Sequence, residues 1–290
     1  MIRIKTPRQV NFKDTFSTLL LTIFISSCAT LSHVDKAQDE FNKGAEIENE
    51  ALLNQSISLV SPPRPSDYYY KRAYAEVNEA LANEAKLKKL DIYVNAATIK
   101  ALCEWKLKNY DEARKTAKVA TDYMSAKKMT ADDLPREYAV LHSMSALIGI
   151  EDMNEKQSNF FKTSPIESTA AITEYKRLIH KDAGIAGNIE KDLEDLETVS
   201  SQISEKHEVQ TYLVMSKLSA LKVWSDALSS IRTIMKKNGD FNGENQVLYD
   251  DERASLDAAK EKYARALKDR VGKEHSVYKH WDFLLGFSTD

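Results

Sequence analysis

The chain has 290 residues, with 41 basic and 44 acidic side chains and a formal net charge of −3. Its basic residues alternate with acids, as in EKDLEDLE (190–197) and AKEKYARALKDR (259–270), which predicts solvated helix faces and argues against the clustered positive charge that binds nucleic acid. With only 8 Gly and 6 Pro, long windows carry no turn signal, so the composition predicts an all-α fold.

The first apolar stretch runs from Thr15 to Ser27 and follows four basic residues. It has 13 residues, whereas a helix that crosses a bilayer needs roughly 20. A short apolar segment behind a basic amino terminus is typical of an export signal. We therefore predict that residues 1–27 are a cleaved signal peptide.

The end of this segment, Ile25-Ser26-Ser27-Cys28, resembles the lipobox of bacterial lipoproteins. That resemblance implies that Cys28 becomes the processed amino terminus and carries a thioether-linked diacylglyceryl group and a further acyl chain such as palmitate. Two or more chains make membrane attachment stable. The alternative is a plain secretory signal, or an uncleaved short anchor, with an incidental cysteine.

The two residues that follow Cys28 indicate which of the two bacterial membranes would hold the protein. In enterobacterial lipoproteins an aspartate at this place favours retention in the inner membrane, and this chain has Ala29 and Thr30. The resemblance therefore implies the periplasmic face of the outer membrane, with the outer leaflet of the inner membrane as the alternative.

Beyond the signal, the chain predicts helices and one clear interruption. The expected helices lie near 33–55, 67–87, 91–107, 110–128, 133–151, 167–182, 186–206, 208–237, 246–270 and 275–286. The three prolines of SLVSPPRPSD predict a linker at 58–67, with Asp67 as the N-cap of the next helix. We thus predict a lipid-anchored helix at 28–57, this linker, and a helical domain at 68–290.

The segment ALCEWKLKNYDEARKTAKVA (101–120) resembles a tetratricopeptide repeat (TPR). An aromatic residue after the hinge, an acidic pair and regularly spaced small residues match in Tyr110, Asp111, Glu112, Ala113, Ala117 and Ala120. Glu104 departs from the pattern, since an apolar residue is expected there. A weaker echo occurs at 219–234, around Trp224, and a fragment at 262–267. The resemblance implies antiparallel helix pairs stacked as a right-handed array; the alternative is a nonrepeating helical bundle.

Other apolar and aromatic groups predict packing surfaces. A stripe of Ile185, Ile189, Leu193, Leu196, Val199 and Ile203 predicts contact with a neighbouring helix rather than dimerisation. Tyr68, Tyr69, Tyr70 and Tyr74 are candidates for a partner-binding surface, or for packing at the start of a helix. We expect Trp281, Phe283 and Phe287 to cover the last apolar face, and Cys103 to be a buried core residue.

The sequence offers no recognisable catalytic motif. NGDFNG (238–243) resembles the start of a calcium loop, but Tyr249 takes the place of the required glutamate, and a helix-ending turn explains the same residues. His275 and His280 are five residues apart, which places them on different helix faces. We therefore predict no enzyme activity, no metal and no cofactor.

Two functions remain open from the sequence. The first is a lipid-anchored scaffold that presents a helical array to an envelope protein or peptide. The second is a ligand-binding lipoprotein, either of a transporter or as a remote cell-wall enzyme, whose site forms only in the fold.

Overall fold

The computed structural model describes residues 29–48, 65–163, 173 and 185–287. Within these ranges the regular structure is helical and no strand occurs, which confirms the all-α prediction. The chain divides into two compact units, unit 1 up to Lys108 and unit 2 from Asn109. The predicted signal peptide, Cys28, most of the proline-rich linker and, apart from Thr173, the helix predicted near 167–182 lie outside the described residues.

Unit 1 contains four described helices. They are α1 (29–48), α2 (Ser66–Leu81), α3 (Glu84–Lys89) and α4 (Tyr93–Lys106). α2 packs along α4, and the short α3 contacts both. Asp67 is not the N-cap that the sequence predicts: Pro65 holds that place, because the amide of Tyr68 already bonds to the Pro65 carbonyl at 3.0 Å.

The inner face of α1 is set by residues at helical spacing. Thr30, Val34, Ala37, Glu40 and Gly44 recur at steps of three or four, and all are buried. At Gly44 the backbone lies so close to α2 that an alanine Cβ would be 2.7 Å from Cε1 of Tyr70. α1 is therefore part of the packed unit.

Pairs of side chains give the direction of α1 relative to α2. Nδ1 of His33 lies 2.6 Å from Oε2 of Glu76, and Nη2 of Arg72 lies 3.3 Å from Oε1 of Glu40. The ring of Phe41 packs 5.2 Å from that of Tyr70. Residue numbers rise along α1 as they fall along α2, so the two helices are antiparallel.

Unit 2 contains α5 (Tyr110–Ala126), α6 (Pro135–Thr163), α7 (Ile185–Ser201), α8 (Val209–Asn238), α9 (Gly243–Val271) and α10 (Ser276–Leu285). α8 contacts α6, α7, α9 and α10 and is the central helix. Its apolar side chains, with those of its neighbours, form one hydrophobic core. α6 is longer than predicted, because no Gly or Pro occurs between Gly149 and its end at Thr163.

The predicted apolar stripe of α7 is buried from Ile189 to Ile203, so the prediction of packing within the chain is confirmed. α7 runs antiparallel to α8, since Glu197 bonds to Lys217 and Ser200 to Gln210. The turn between these helices is closed by Gln210, whose Nε2 donates to the carbonyls of Ser200 and Ile203 at 2.8 and 2.9 Å.

The TPR-like segment crosses the boundary between the two units. α4 ends before Lys108, whose φ of 62° is left-handed, and α5 begins at Tyr110, as the motif predicts. Ala113, Ala117 and Ala120 are buried, so the predicted small-residue face exists. The echo around Trp224 contains no hinge, because it lies inside the continuous α8.

Candidate functional site

The predicted tyrosine surface is divided by burial. Tyr70 is completely buried, whereas Tyr68, Tyr69 and Tyr74 are half-buried on α2. The rings of Tyr68 and Tyr69 meet edge to face at 5.3 Å, and the guanidinium of Arg72 lies 5.8 Å from the Tyr68 ring centroid. Tyr68, Tyr69 and Arg72 thus form one accessible group of two tyrosine rings and a cation, a combination that suits contact with a peptide or protein, whereas Tyr74 lies on another side of α2.

The buried Tyr70 belongs to a packed corner of unit 1. Nζ of Lys106 lies 2.6 Å from Oε2 of Glu48 and 6.0 Å from the centroid of the Tyr70 ring. Burial, and then the charge of Glu48, raise the pKa of the Tyr70 hydroxyl. Tyr70 therefore stays neutral and acts as a packing residue of this corner.

Cys103 is buried in α4, as predicted. Burial, and then the neighbouring charge of Glu104, raise the pKa of its thiol to about 12. Because the thiolate is the reactive form of cysteine, this residue is a poor nucleophile at neutral pH. Glu104, which occupies an expected apolar place, is buried 3.7 Å from Nζ of Lys100.

A group of hydrogen-bonded charged side chains lies in unit 2, where α7, α8 and α9 meet. We call it the Glu197 cluster: Glu197 from α7, Lys217 from α8, and Lys262 and Tyr263 from α9. Oε2 of Glu197 accepts from Nζ of Lys217 at 2.8 Å, while Oε1 accepts from Nζ of Lys262 at 2.7 Å and from the Tyr263 hydroxyl at 2.8 Å. One carboxylate thus joins three helices.

Burial decides how the Glu197 cluster behaves. The Lys217 side chain is only 3% exposed, and burial lowers its pKa while Glu197 opposes the change. Burial disfavours ionised Glu197, but hydrogen bonds from Lys217, Lys262 and Tyr263 outweigh it and lower its pKa to about 2. Burial, followed by the bond to Glu197, raises the pKa of Tyr263. The Glu197 carboxylate is ionised, and both of its oxygens already accept hydrogen bonds from the protein. It therefore links the three helices and is poorly placed to act as a general base.

Asp192, a buried acid of unit 2, lies on the face of α7 that meets α6. It is 8% exposed, and its Oδ2 has no hydrogen-bond partner. An added Cβ at Gly149 would be 2.6 Å from this oxygen, so the carboxylate lies against the backbone of α6. Burial, and then Asp195, raise its pKa to about 7, although Lys191 opposes the change.

These clusters correct the prediction that both charged runs are solvated faces. Asp192 and Glu197 belong to the first run, and Lys260, Lys262 and Tyr263 to the second. Lys260 is buried beside Asp257, at 3.5 Å, and Asp192 is buried against α6. The prediction fails because α7 and α9 each place a few of their charged residues on the face that packs against other helices, where Glu197 is hydrogen-bonded to Lys217, Lys262 and Tyr263.

Of the three aromatic residues predicted to cover the last apolar face, two are packed against the core and one is exposed. Trp281 and Phe287 pack against the core of unit 2, and the Phe287 ring lies 5.5 Å from that of Tyr278. Phe283 is 87% exposed, so the expectation that it covers the last apolar face is wrong. Its position on α10 points it away from α8 and α9, because Trp281, Leu284 and Leu285 already occupy the inner face.

The NGDFNG segment forms a turn between α8 and α9. Gly239 ends α8 with a φ of 75°, and Nδ2 of Asn242 donates to the Gly239 carbonyl at 3.0 Å. Tyr249 is buried 5.4 Å from the Phe241 ring. Among the described residues, no group of three or more His, Cys, Asp and Glu is arranged to hold a metal ion.

Comparisons with protein-family models, with curated proteins and with solved structures find no match to this chain. In the ranges that the structure describes, every helix falls short of the length or apolar character needed to cross a membrane.

Proposed function

We propose that this chain is a lipid-anchored scaffold of the bacterial cell envelope, which faces the periplasm and binds an envelope protein or peptide. The lipobox-like Ile25-Ser26-Ser27-Cys28 supports the anchor. The single observation that carries the proposal is that α1, whose described residues 29–48 follow Cys28 in the sequence, packs into unit 1. Acyl chains on Cys28 would thus hold a folded helical unit at the membrane.

The pattern of helix neighbours supports a repeat-like arrangement in unit 2. α7 contacts α6 and α8, and α6 contacts α8; α9 contacts α8 and α10, and α8 contacts α10. A TPR-like array has the same order, because each second helix packs on the first helix of its own pair and of the next. We therefore propose that α6 to α9 are two stacked pairs followed by α10, built from longer helices than a 34-residue repeat uses.

The half-buried tyrosines of α2 are the proposed partner-binding residues. Tyrosine gives a large contact area at low conformational cost and keeps a polar tip for hydrogen bonding. Tyr68, Tyr69 and Tyr74 lie on one helix with Arg72, and aromatic and arginine side chains are enriched in protein interfaces.

The anchor is tested by labelling cells with a radioactive fatty acid. Wild type is expected to incorporate the label and to fractionate with the outer membrane, whereas Cys28→Ala is expected to remain unlabelled. Cys103→Ala is the matched control, because that buried thiol has no part in the anchor and its variant should be labelled like wild type. A wild-type chain recovered freely soluble with an unmodified amino terminus would refute the proposal.

The scaffold role is tested by photo-crosslinking in intact envelopes. With p-benzoylphenylalanine at Tyr68 or Tyr69, which lie with Arg72 on one side of α2, we expect the same discrete protein adduct from both positions. Val119, an exposed residue of α5 in unit 2, is the control. Adducts that are equally abundant at Val119, or absent at all three positions, would contradict a partner surface at the tyrosines.

A further inference from the structure

One end of unit 1 lies next to the proposed anchor. Because α1 is antiparallel to α2, with His33 paired to Glu76, Ala29 lies beside the last turn of α2. α3 follows that turn after two residues, and α4 begins shortly after α3. Cys28 is bonded to Ala29, with the two Cα atoms about 3.8 Å apart. The acyl chains would therefore leave the chain at the same end of unit 1 that carries α3.

The side chains at this end combine apolar and basic character. We define the α3 end by Leu31, Lys86, Lys88, Lys89 and Leu90. Both leucines are 38% exposed, which is unusual among the large apolar side chains of unit 1. The three lysines lie in the last turn of α3 and are flanked by Glu84 and Asp91, so residues 84–91 carry a net charge of +1 on a chain that is acidic overall.

The lysines are not equivalent. Lys88 is held by an ion pair with Glu84, and its ammonium lies 4.7 Å from the centroid of the Tyr93 ring. Lys89 and Leu90 are exposed next to it. Lys88 thus fixes α3 on α4, and its neighbours are directed to the outside.

We propose that the α3 end lies on the membrane surface, with Leu31 and Leu90 at headgroup depth and Lys86 and Lys89 beside anionic lipid phosphates. A bilayer fits this surface because it offers apolar and anionic groups within a few ångströms of each other. The proposal rests on the proposed lipid anchor at Cys28, which holds this end at the bilayer. It adds a defined orientation: α1, α2 and α4 extend away from the membrane and carry the tyrosines of α2 outward.

The orientation is tested with the acylated full-length protein, reconstituted in vesicles of phosphatidylethanolamine and phosphatidylglycerol. A polarity-sensitive thiol probe is placed at Leu31→Cys or Leu90→Cys, and Glu46→Cys, exposed near the other end of α1, is the control. The buried Cys103 stays unlabelled. We expect blue-shifted emission and quenching by spin-labelled lipid at positions 31 and 90, and neither effect at position 46.

The contribution of charge is tested in the Leu90→Cys background. Each lysine near an anionic surface changes the bound population about fivefold, so Lys86→Glu with Lys89→Glu should reduce the inserted population at least about 25-fold. Lys71→Glu, exposed on α2, is the matched control and should change nothing.

Mass spectrometry of the amino-terminal peptide separates the possible failures. An acylated protein whose probes at 31 and 90 behave like the probe at 46 would overturn the orientation and leave the anchor intact. A protein with no acyl group would overturn both. Insertion that survives the two charge reversals would refute the role of the lysines.

Discussion

Glu197→Gln is expected to lower the free energy of unfolding of unit 2 by about 3 kcal/mol. The substitution keeps the shape of the side chain but leaves the ammonium of Lys217, 3% exposed, without an anion. An uncompensated buried charge is costly because the protein interior solvates it poorly. Urea unfolding followed by the fluorescence of Trp224, a core residue of unit 2, measures the change.

Two further variants make this prediction specific. Lys217→Met is expected to cost less than about 1 kcal/mol, because Glu197 keeps Lys262 and Tyr263 and no charge is left alone. Glu194→Gln, one turn earlier and exposed on α7, should have no effect. If Glu197→Gln and Lys217→Met lower the free energy of unfolding by the same amount, an unpaired ammonium at Lys217 is not the cause of the loss, and the prediction is wrong.

The same cluster has a defined pH dependence. The pKa of Glu197 is lowered from 4.5 to about 2 in the folded chain. Its stabilising contribution is therefore present above pH 4.5 and is lost as the pH falls towards 2. The difference in unfolding free energy between wild type and Glu197→Gln should shrink over that range.

Asp192→Asn is expected to stabilise unit 2 by about 2 kcal/mol at pH 8 and to have little effect at pH 4. The folded chain raises the pKa of Asp192 from 3.8 to about 7, chiefly through burial. A shift of this size corresponds to about 4 kcal/mol if it is wholly realised, and water that reaches the carboxyl reduces it to about half. The penalty grows as the pH rises from 3.8 to 7, because in that range the folded chain keeps a proton that the unfolded chain has lost, so folding must take up a proton.

Thermal unfolding of wild type and Asp192→Asn between pH 4 and pH 8 measures this difference. Asp195→Asn is the matched control, because that neighbour on α7 is exposed. We expect it to give a smaller, pH-dependent gain, since its charge is the second cause of the Asp192 shift. If the stability difference between wild type and Asp192→Asn is the same at pH 4 and pH 8, the pKa of Asp192 is not raised and the prediction is wrong.

Much of the helix pattern follows from local sequence. α4, α5 and α8 lie within a few residues of their predicted bounds, because a turn or a glycine interrupts apolar periodicity at each of their ends. The second predicted helix instead divides into α2 and α3, and the one local sign of the break is Asn83, the N-cap residue of α3. Local signals predict helices well and short interruptions less well, since interruptions depend on what the helix packs against.

The polar clusters depend on more distant parts of the chain. Glu197 and Lys262 are 65 residues apart, and Gly149 and Asp192 are 43 apart. Within its own helix Glu197 resembles Glu194, since both occupy an acidic run with leucines between. Only the packing of α7 between α6, α8 and α9 makes one of them a clamp and the other a surface residue.

The sequence by itself determined the helical class, most helix bounds, the buried stripe of α7 and the expectation of a lipid anchor at Cys28, because each depends on neighbours within a few turns of the chain. The tertiary structure decided that α1 packs against α2, that Tyr70 is buried while Tyr69 is not, and that three helices share the carboxylate of Glu197. Burial is a property of the assembled helices, and burial sets both the exposure of a ring and the energy of a charge.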